Sequence, residues 1–391
     1  MINAPFSSWP SFTQEEADKV SEILLSNKVN YWTGQEGREF EKEFATFADT
    51  KYAVALANGT LALDLALVAL EIGAGDEVIV TSRTFLASAS SIITSGAAPV
   101  FADVDENSQN ITVGTIEAVR TDKTKAIICV HLAGYPCDMP AIMEYANKHD
   151  IYVIEDCAQA HGTKINGKSV GSFGHIGAWS FCQDKIMTTG GEGGMVTTND
   201  ETLWKKMWSY KDHGKSYDAV YNTNHKPGFR WLHESFGTNW RLTEMQSAIG
   251  RIQLKRMPEW TKARQNNAAI IDNACSNFSS LRVVSVPENI EHAQYKHFVF
   301  VEVKKLAKGW TRDKIIEAIN ELGVPCMQGT CSEVYLEKAF DGTDFRPQKG
   351  LPAAIKLGET SLMFLVHPTL TSSEMKRTAE AIATVMQQAT L

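Results

Sequence analysis

From about residue 50 to residue 200 the chain alternates short β-branched or apolar runs with stretches of helical periodicity, and this alternation leaves few folds open. Strands separated by helices of this length build βαβ units, which assemble into a mainly parallel sheet. The runs at 52–56, 77–80, 99–103, 126–130 and 152–155 read as its strands. Several end just before small or polar residues, so a site is expected where the carboxyl ends of the strands meet. The first helix of the series is expected over 59–70, opening at Asn58-Gly59-Thr60 and stopping at Gly73. A hydroxyl and unpaired backbone N–H groups at that start could receive a phosphate, although a plain polar cap fits the same residues.

Beyond Thr243 the spacing of Met245, Ala248, Ile249, Ile252, Leu254 and Met257 predicts a long amphipathic helix that continues past Pro258 to Ile271. It would link a large domain, residues 1–254, to a smaller α+β domain, residues 255–391. In the second unit 298–303 reads as a strand, and 312–322 and 373–387 read as helices. The segment before residue 40 is expected to pack back over the site or over a neighbouring subunit.

A chain of 391 residues with 43% hydrophobic side chains can bury a sizeable core without covalent staples. Its net charge of -8 argues against nucleic acid or an anionic membrane as the main partner. The seven cysteines are an odd set with no C-x-x-C pair, so neither a disulfide framework nor a zinc site is indicated. The first residues lack a basic start with an apolar run, and no stretch is long enough to cross a bilayer. A cytoplasmic location is expected.

Two segments carry chemistry: Glu155-Asp156-Cys157-Ala158-Gln159-Ala160-His161-Gly162 and Ser180-Phe181-Cys182-Gln183-Asp184-Lys185. Asp156 follows an apolar strand, so its carboxylate would emerge at the strand end, where a buried acid needs a cationic partner. A protonated pyridine nitrogen is one. Lys185 precedes Gly190-Gly191-Glu192-Gly193-Gly194, a run that lets backbone approach a ring and its phosphate closely. A lysine able to form a Schiff base, with an acid that keeps a cofactor ring protonated, points to amino-group chemistry on pyridoxal phosphate.

Together with Tyr31-Trp32-Thr33-Gly34, Gly75-Asp76-Glu77-Val78, Thr84-Phe85, Asn239-Trp240-Arg241-Leu242-Thr243 and His367-Pro368-Thr369, these segments resemble the DegT/StrS family of pyridoxal-phosphate-dependent sugar aminotransferases. Those enzymes adopt the aspartate aminotransferase-like fold called fold type I. The resemblance covers nearly the whole chain. It implies that Lys185 binds the cofactor covalently and then moves the proton, with pyridoxamine phosphate as the intermediate form. It implies that Asp156 holds the ring nitrogen, Phe85 stacks on the ring and Gln159 contacts its polar edge. Gly59, Thr60 and Ser180 would hold the phosphate, and Asn239 would reach the phosphate of a partner subunit, making a homodimer with two shared sites. No metal is implied.

The donor implied is L-glutamate and the acceptor a keto or aldehyde sugar for lipopolysaccharide or another surface glycan. Two acceptors stay open. Most relatives take a nucleotide-linked keto-deoxysugar, whose diphosphate could meet Arg83, Lys211, His213, Arg230 or His297. The wording of 182–187 and 235–256 is also similar to enzymes that aminate C8 of 8-oxo-3,8-dideoxy-octulosonate. Two further readings are a sugar dehydratase, in whose relatives histidine replaces the lysine, and a non-catalytic cofactor-binding regulator, for which no DNA-binding segment is visible.

Overall fold

The computed structural model describes residues 5–224 and 230–391. Seven strands build the large sheet: β1 (Tyr52–Leu56), β2 (Glu77–Thr81), β3 (Ala98–Ala102), β4 (Thr124–Val130), β5 (Tyr152–Asp156), β6 (Ile176–Ser180) and β7 (Gly194–Thr198). Their spatial order is β1-β7-β6-β5-β4-β2-β3. The pairs from β3 to β6 are parallel, and β7 runs antiparallel between β6 and β1. Central parallel strands are covered on both faces, which is why residues 126–130 of β4 and 153–154 of β5 are apolar and buried.

The five strands read from the sequence match β1 to β5 within two residues at each end. Two strands escaped that reading. In β6 the run Ile176-Gly177-Ala178-Trp179-Ser180 is short and carries small residues of little intrinsic strand preference; pairing with β5 and β7 makes it a strand. In β7 the last glycine of the loop after Lys185 is already the first strand residue.

Helix α1 (Gln14–Ser26), α2 (Glu36–Phe47), α3 (Gly59–Ala69) and α4 (Ala87–Thr94) lie in the N-terminal half. Helix α3 is apolar around most of its circumference because it is enclosed: Ala62, Leu63, Leu65, Ala66, Leu67 and Ala69 are all buried, packed with residues of the sheet. Helix α5 (Glu244–Cys275) runs unbroken through Pro258, with a capping box of Thr243 and Gln246 at its start. Its Leu254 and Met257 pack in a core with Phe40, Phe44 and Trp179, whereas Ala268, Ile271 and Cys275 pack in a second core. The division drawn at 254/255 thus falls inside α5.

The second core belongs to an antiparallel sheet of β8 (Leu281–Val283), β9 (His297–Val301), β10 (Cys326–Met327) and β11 (Ser361–Phe364), ordered β8-β9-β11-β10. Helices α6 (Arg312–Glu321) and α7 (Ser372–Ala389) contribute Ile315, Ile319, Ile382 and Val385 to it. The N-terminal segment ties the two sheets together. Phe6 packs on the second core, Trp9 meets Trp260 edge-on at 5.1 Å, and the Glu16 carboxylate accepts from Arg256 at 2.9 Å. Among the described helices none is long and apolar enough to cross a membrane.

Candidate active site

A cavity of about 780 Å³ opens where β4, β5 and β6 end, marked by Val130, Asp156 and Ser180. The start of α3 closes one side. Tyr295, Lys296 and Phe298, at the entry to β9, close another.

Asp156 lies on its floor. The carboxylate is buried; Oδ2 accepts from Ser88 Oγ at 2.8 Å and Oδ1 from the Ala158 N–H at 3.1 Å. Burial pushes its carboxyl above the usual range, and no cation lies within ion-pair distance among the described residues. Ser88, itself paired with Thr84 Oγ1 at 2.9 Å, was missed from the sequence. Its four-residue spacing from Thr84 is the signal that could have found it. Behind Asp156, Glu155 accepts from the N–H groups of Gly171, Phe173 and Gly174 and bonds His131 Nε2 at 3.0 Å, which fixes the end of β5.

At the start of α3, the Asn58 side chain accepts from the Leu61 N–H at 3.0 Å. The N–H groups of Gly59 and Thr60 have no acceptor within the helix, as expected of a first turn. Gly59 is required there because an added Cβ would lie 2.4 Å from Ser180 Cβ and 3.0 Å from its Cα. Gly194 is equally constrained: a Cβ would stand 2.3 Å from the Asn58 carbonyl oxygen. Backbone, not side chain, forms this corner.

Lys185 stands in a tight loop, its N–H donating to the Cys182 carbonyl at 3.1 Å. Its own carbonyl accepts from Trp9 Nε1 at 2.8 Å, so the N-terminal segment anchors this loop directly. The ammonium lies 4.0 Å from Asp184 Oδ1 and 5.1 Å from the centre of the Tyr295 ring, whose hydroxyl is bonded to Asp184. Gln159 spends its carbonyl oxygen on the Ala133 N–H at 2.8 Å, leaving its NH₂ group to the cavity it lines. Phe85 stands at the rim, 69% exposed.

Seven of the eight residues singled out from the sequence, Gly59, Thr60, Phe85, Asp156, Gln159, Ser180 and Lys185, therefore line one cavity. The eighth, Asn239, is exposed and bridges to Asp212 away from the cavity of its own chain. None of the five candidate anion contacts lines the cavity. Arg83 is buried, bonding Gln109 Oε1 at 2.9 and 3.1 Å and the Ser332 hydroxyl. His297 is held by Asp272 at 2.8 Å and Gln294 at 3.1 Å. Lys211 is enclosed over the Tyr31 ring at 3.5 Å, while His213 and Arg230 are exposed elsewhere. For Arg83, Lys211 and His297 sequence alone could not tell an inward-facing cation from a pocket-lining one.

These residues fit pyridoxal phosphate: a buried acid without a cation faces the cavity, a glycine corner with unpaired N–H groups can take a phosphate, and a lysine reaches the same space. A large sheet of this strand order with such a site defines a fold type I pyridoxal-phosphate aminotransferase. The comparisons narrow the class. The chain belongs to the DegT/DnrJ/EryC1/StrS aminotransferase family, whose model matches residues 10–383. The solved structure of the aminotransferase from Psychrobacter cryohalolentis superposes with a TM-score of 0.97 at 66% identity, covering 98% of this chain and 99% of that one. The GDP-perosamine synthase of Escherichia coli O157:H7 is 39% identical over 79% of this chain and 82% of its own. The UDP-N-acetyl-3-dehydro-alpha-D-glucosamine 3-aminotransferase of Acidithiobacillus ferrooxidans is 37% identical over 93% and 91%. The protein is a sugar aminotransferase, and its cofactor is pyridoxal phosphate.

Proposed function

We propose that the enzyme transfers the amino group of L-glutamate to the carbonyl of a nucleotide-linked keto sugar, a step in making an amino sugar for a surface glycan. The observation that carries the chemistry is the single cavity joining the Lys185 ammonium to the buried Asp156 carboxylate. The nucleotide-linked acceptor is supported by the relatives, two of which are named for GDP- and UDP-linked sugars. The net reaction gives 2-oxoglutarate from the donor and an amine where the sugar held its carbonyl.

When bound, pyridoxal phosphate supplies a ring that draws electrons from the carbon that loses its proton. Asp156 would hold the ring nitrogen protonated, and its fixed bonds to Ser88 and Ala158 keep the carboxylate aimed at that task. Gly59, Thr60 and Ser180 would bind the phosphate. Phe85 would cover one face of the ring, and Gln159 would donate from its free NH₂ group. Lys185 Nζ takes the proton from the donor's α-carbon and later delivers one to the acceptor carbon. A histidine there could move a proton but could not join the cofactor covalently, so Lys185 favours amine transfer over the dehydratase reading and turnover over a purely regulatory role.

The decisive assay primes the enzyme with L-glutamate and offers GDP- and UDP-linked keto sugars beside 8-oxo-3,8-dideoxy-octulosonate. Amination of a nucleotide-linked sugar alone is expected; turnover of the octulosonate alone would replace this acceptor.

Asn239 has no role in the cavity of its own chain, and we assign it to the phosphate site of a partner subunit in a homodimer. Asn239→Ala should lower cofactor affinity about 10-fold, the worth of one hydrogen bond to a charged group. Dialysis followed by cofactor quantification measures it, and unchanged retention would remove the cross-subunit role.

A further inference from the structure

Lys296 is the second cation of the cavity, and nothing in the reaction outlined above employs it. It precedes β9 and lines the cavity between Tyr295 and Phe298. Its ammonium lies 5.0 Å from the centre of the Tyr295 ring, the ring that Lys185 approaches at 5.1 Å. The two ammonium groups are therefore no farther apart than the sum of those distances. Among the described residues Lys296 has neither a hydrogen bond nor an ion pair. The charged groups around it are Asp184, Lys185 and Arg264, and only the first is acidic. Asp184 is already engaged by the Tyr295 hydroxyl. Burial pushes the Lys296 ammonium down from its ordinary range, Arg264 and Lys185 add to that, and Asp184 offsets only part of it.

We propose that Lys296 is a specificity residue that binds a carboxylate of the reacting substrate, holding it beside the nitrogen-transfer centre at Lys185. The inference rests on the assignment of Lys185 as that centre. A carboxylate hydrogen-bonded to an ammonium sits about 2.8 Å from it, so an acid group within a few bonds of the reacting carbon can reach Lys296 while that carbon faces Lys185. Lys296 has three rotatable donors and works as a point charge, which suits a substrate that arrives, reacts and leaves. The chemistry has two sources: the amino acid donor, which carries two carboxylates, or an acid group on the acceptor sugar.

The test uses the holoenzyme and the variants Lys296→Gln and Lys296→Arg. Cofactor absorbance follows the half-reaction with L-glutamate and, separately, the return half-reaction with the acceptor. Calorimetry measures binding of glutarate, a dicarboxylate with no amine to transfer. Lys296→Gln should raise the half-saturating substrate concentration ~10–100-fold in one half-reaction, with the limiting rate changed far less and Lys296→Arg restoring most of the loss. Loss with glutamate, together with weaker glutarate binding, assigns the donor carboxylate. Loss with the acceptor alone assigns an acid group on the sugar. Unchanged saturation in both, with the cofactor spectrum intact, overturns the proposal. If Lys185→Ala retained turnover, the centre itself would be misassigned, and that result is independent of the Lys296 measurements.

Discussion

Lys185→Ala should abolish transamination and, with it, the absorbance that marks the covalently held cofactor, while leaving the fold intact. Two contributions vanish together. The amine that joins the cofactor is gone, and so is the nitrogen assigned to carry protons between donor and acceptor carbon. A positioned proton-transfer group alone is worth about 10²–10⁴-fold, and the lost covalent attachment adds to that. Turnover should fall below roughly 10⁻³ of the parent enzyme. Stability should change little, because among the described residues the ammonium makes no hydrogen bond and the loop is held by its backbone, through the Cys182 carbonyl and the Trp9 indole. Steady-state turnover, a visible spectrum and a thermal melt measure all three effects. Glutamate-dependent transamination by the variant would show that another group carries the nitrogen chemistry.

How far the sequence disclosed this site can be followed residue by residue. Asp156 was legible because it stands at the end of an apolar strand, where a parallel sheet gathers its ligand site, and Lys185 because a glycine-rich run follows it; Ser180 came only with the family resemblance, since the strand it ends went unread. Gly59 and Thr60 were legible as the start of a helix. The partners of Asp156 were less so: Ser88 lies 68 residues away in sequence, and its spacing from Thr84 does not by itself say that the hydroxyl will face a carboxylate. Tyr295 and Lys296 lie just before β9 of the second sheet, more than a hundred residues from Lys185, so their meeting is set by the path of α5. Charge was the least legible property. Arg83, Lys211 and His297 looked available to an anionic substrate, yet packing turns each inward. The same limit hid β6 and β7, whose strand character comes from their neighbours.

Asp156→Asn should separate the two demands on the buried acid. The amide keeps the shape and can still bond Ser88 and the Ala158 N–H, but it removes the charge that would hold a protonated ring nitrogen. Taking one partner from a buried charged pair costs about 3–5 kcal/mol, so turnover should drop roughly 10²–10⁴-fold and the cofactor should dissociate more readily. The cofactor-free protein should respond in the opposite sense. Burial raises the folded-state pKa of Asp156 above its ordinary value of 3.8. Between those two values the folded chain binds more protons than the unfolded one, so stability contributed by the neutral acid is present at low pH and lost as pH rises through the folded pKa. The asparagine variant has no such loss. Relative to the parent, cofactor-free Asp156→Asn should therefore melt progressively higher as pH is raised from 4 to neutrality, even as the loaded enzyme becomes less active. Other titrating groups are common to both proteins and cancel in the difference. A variant with parental turnover would release Asp156 from the ring nitrogen. A variant destabilised equally at every pH would make its hydrogen bonds, rather than its charge, the reason for its place in the fold.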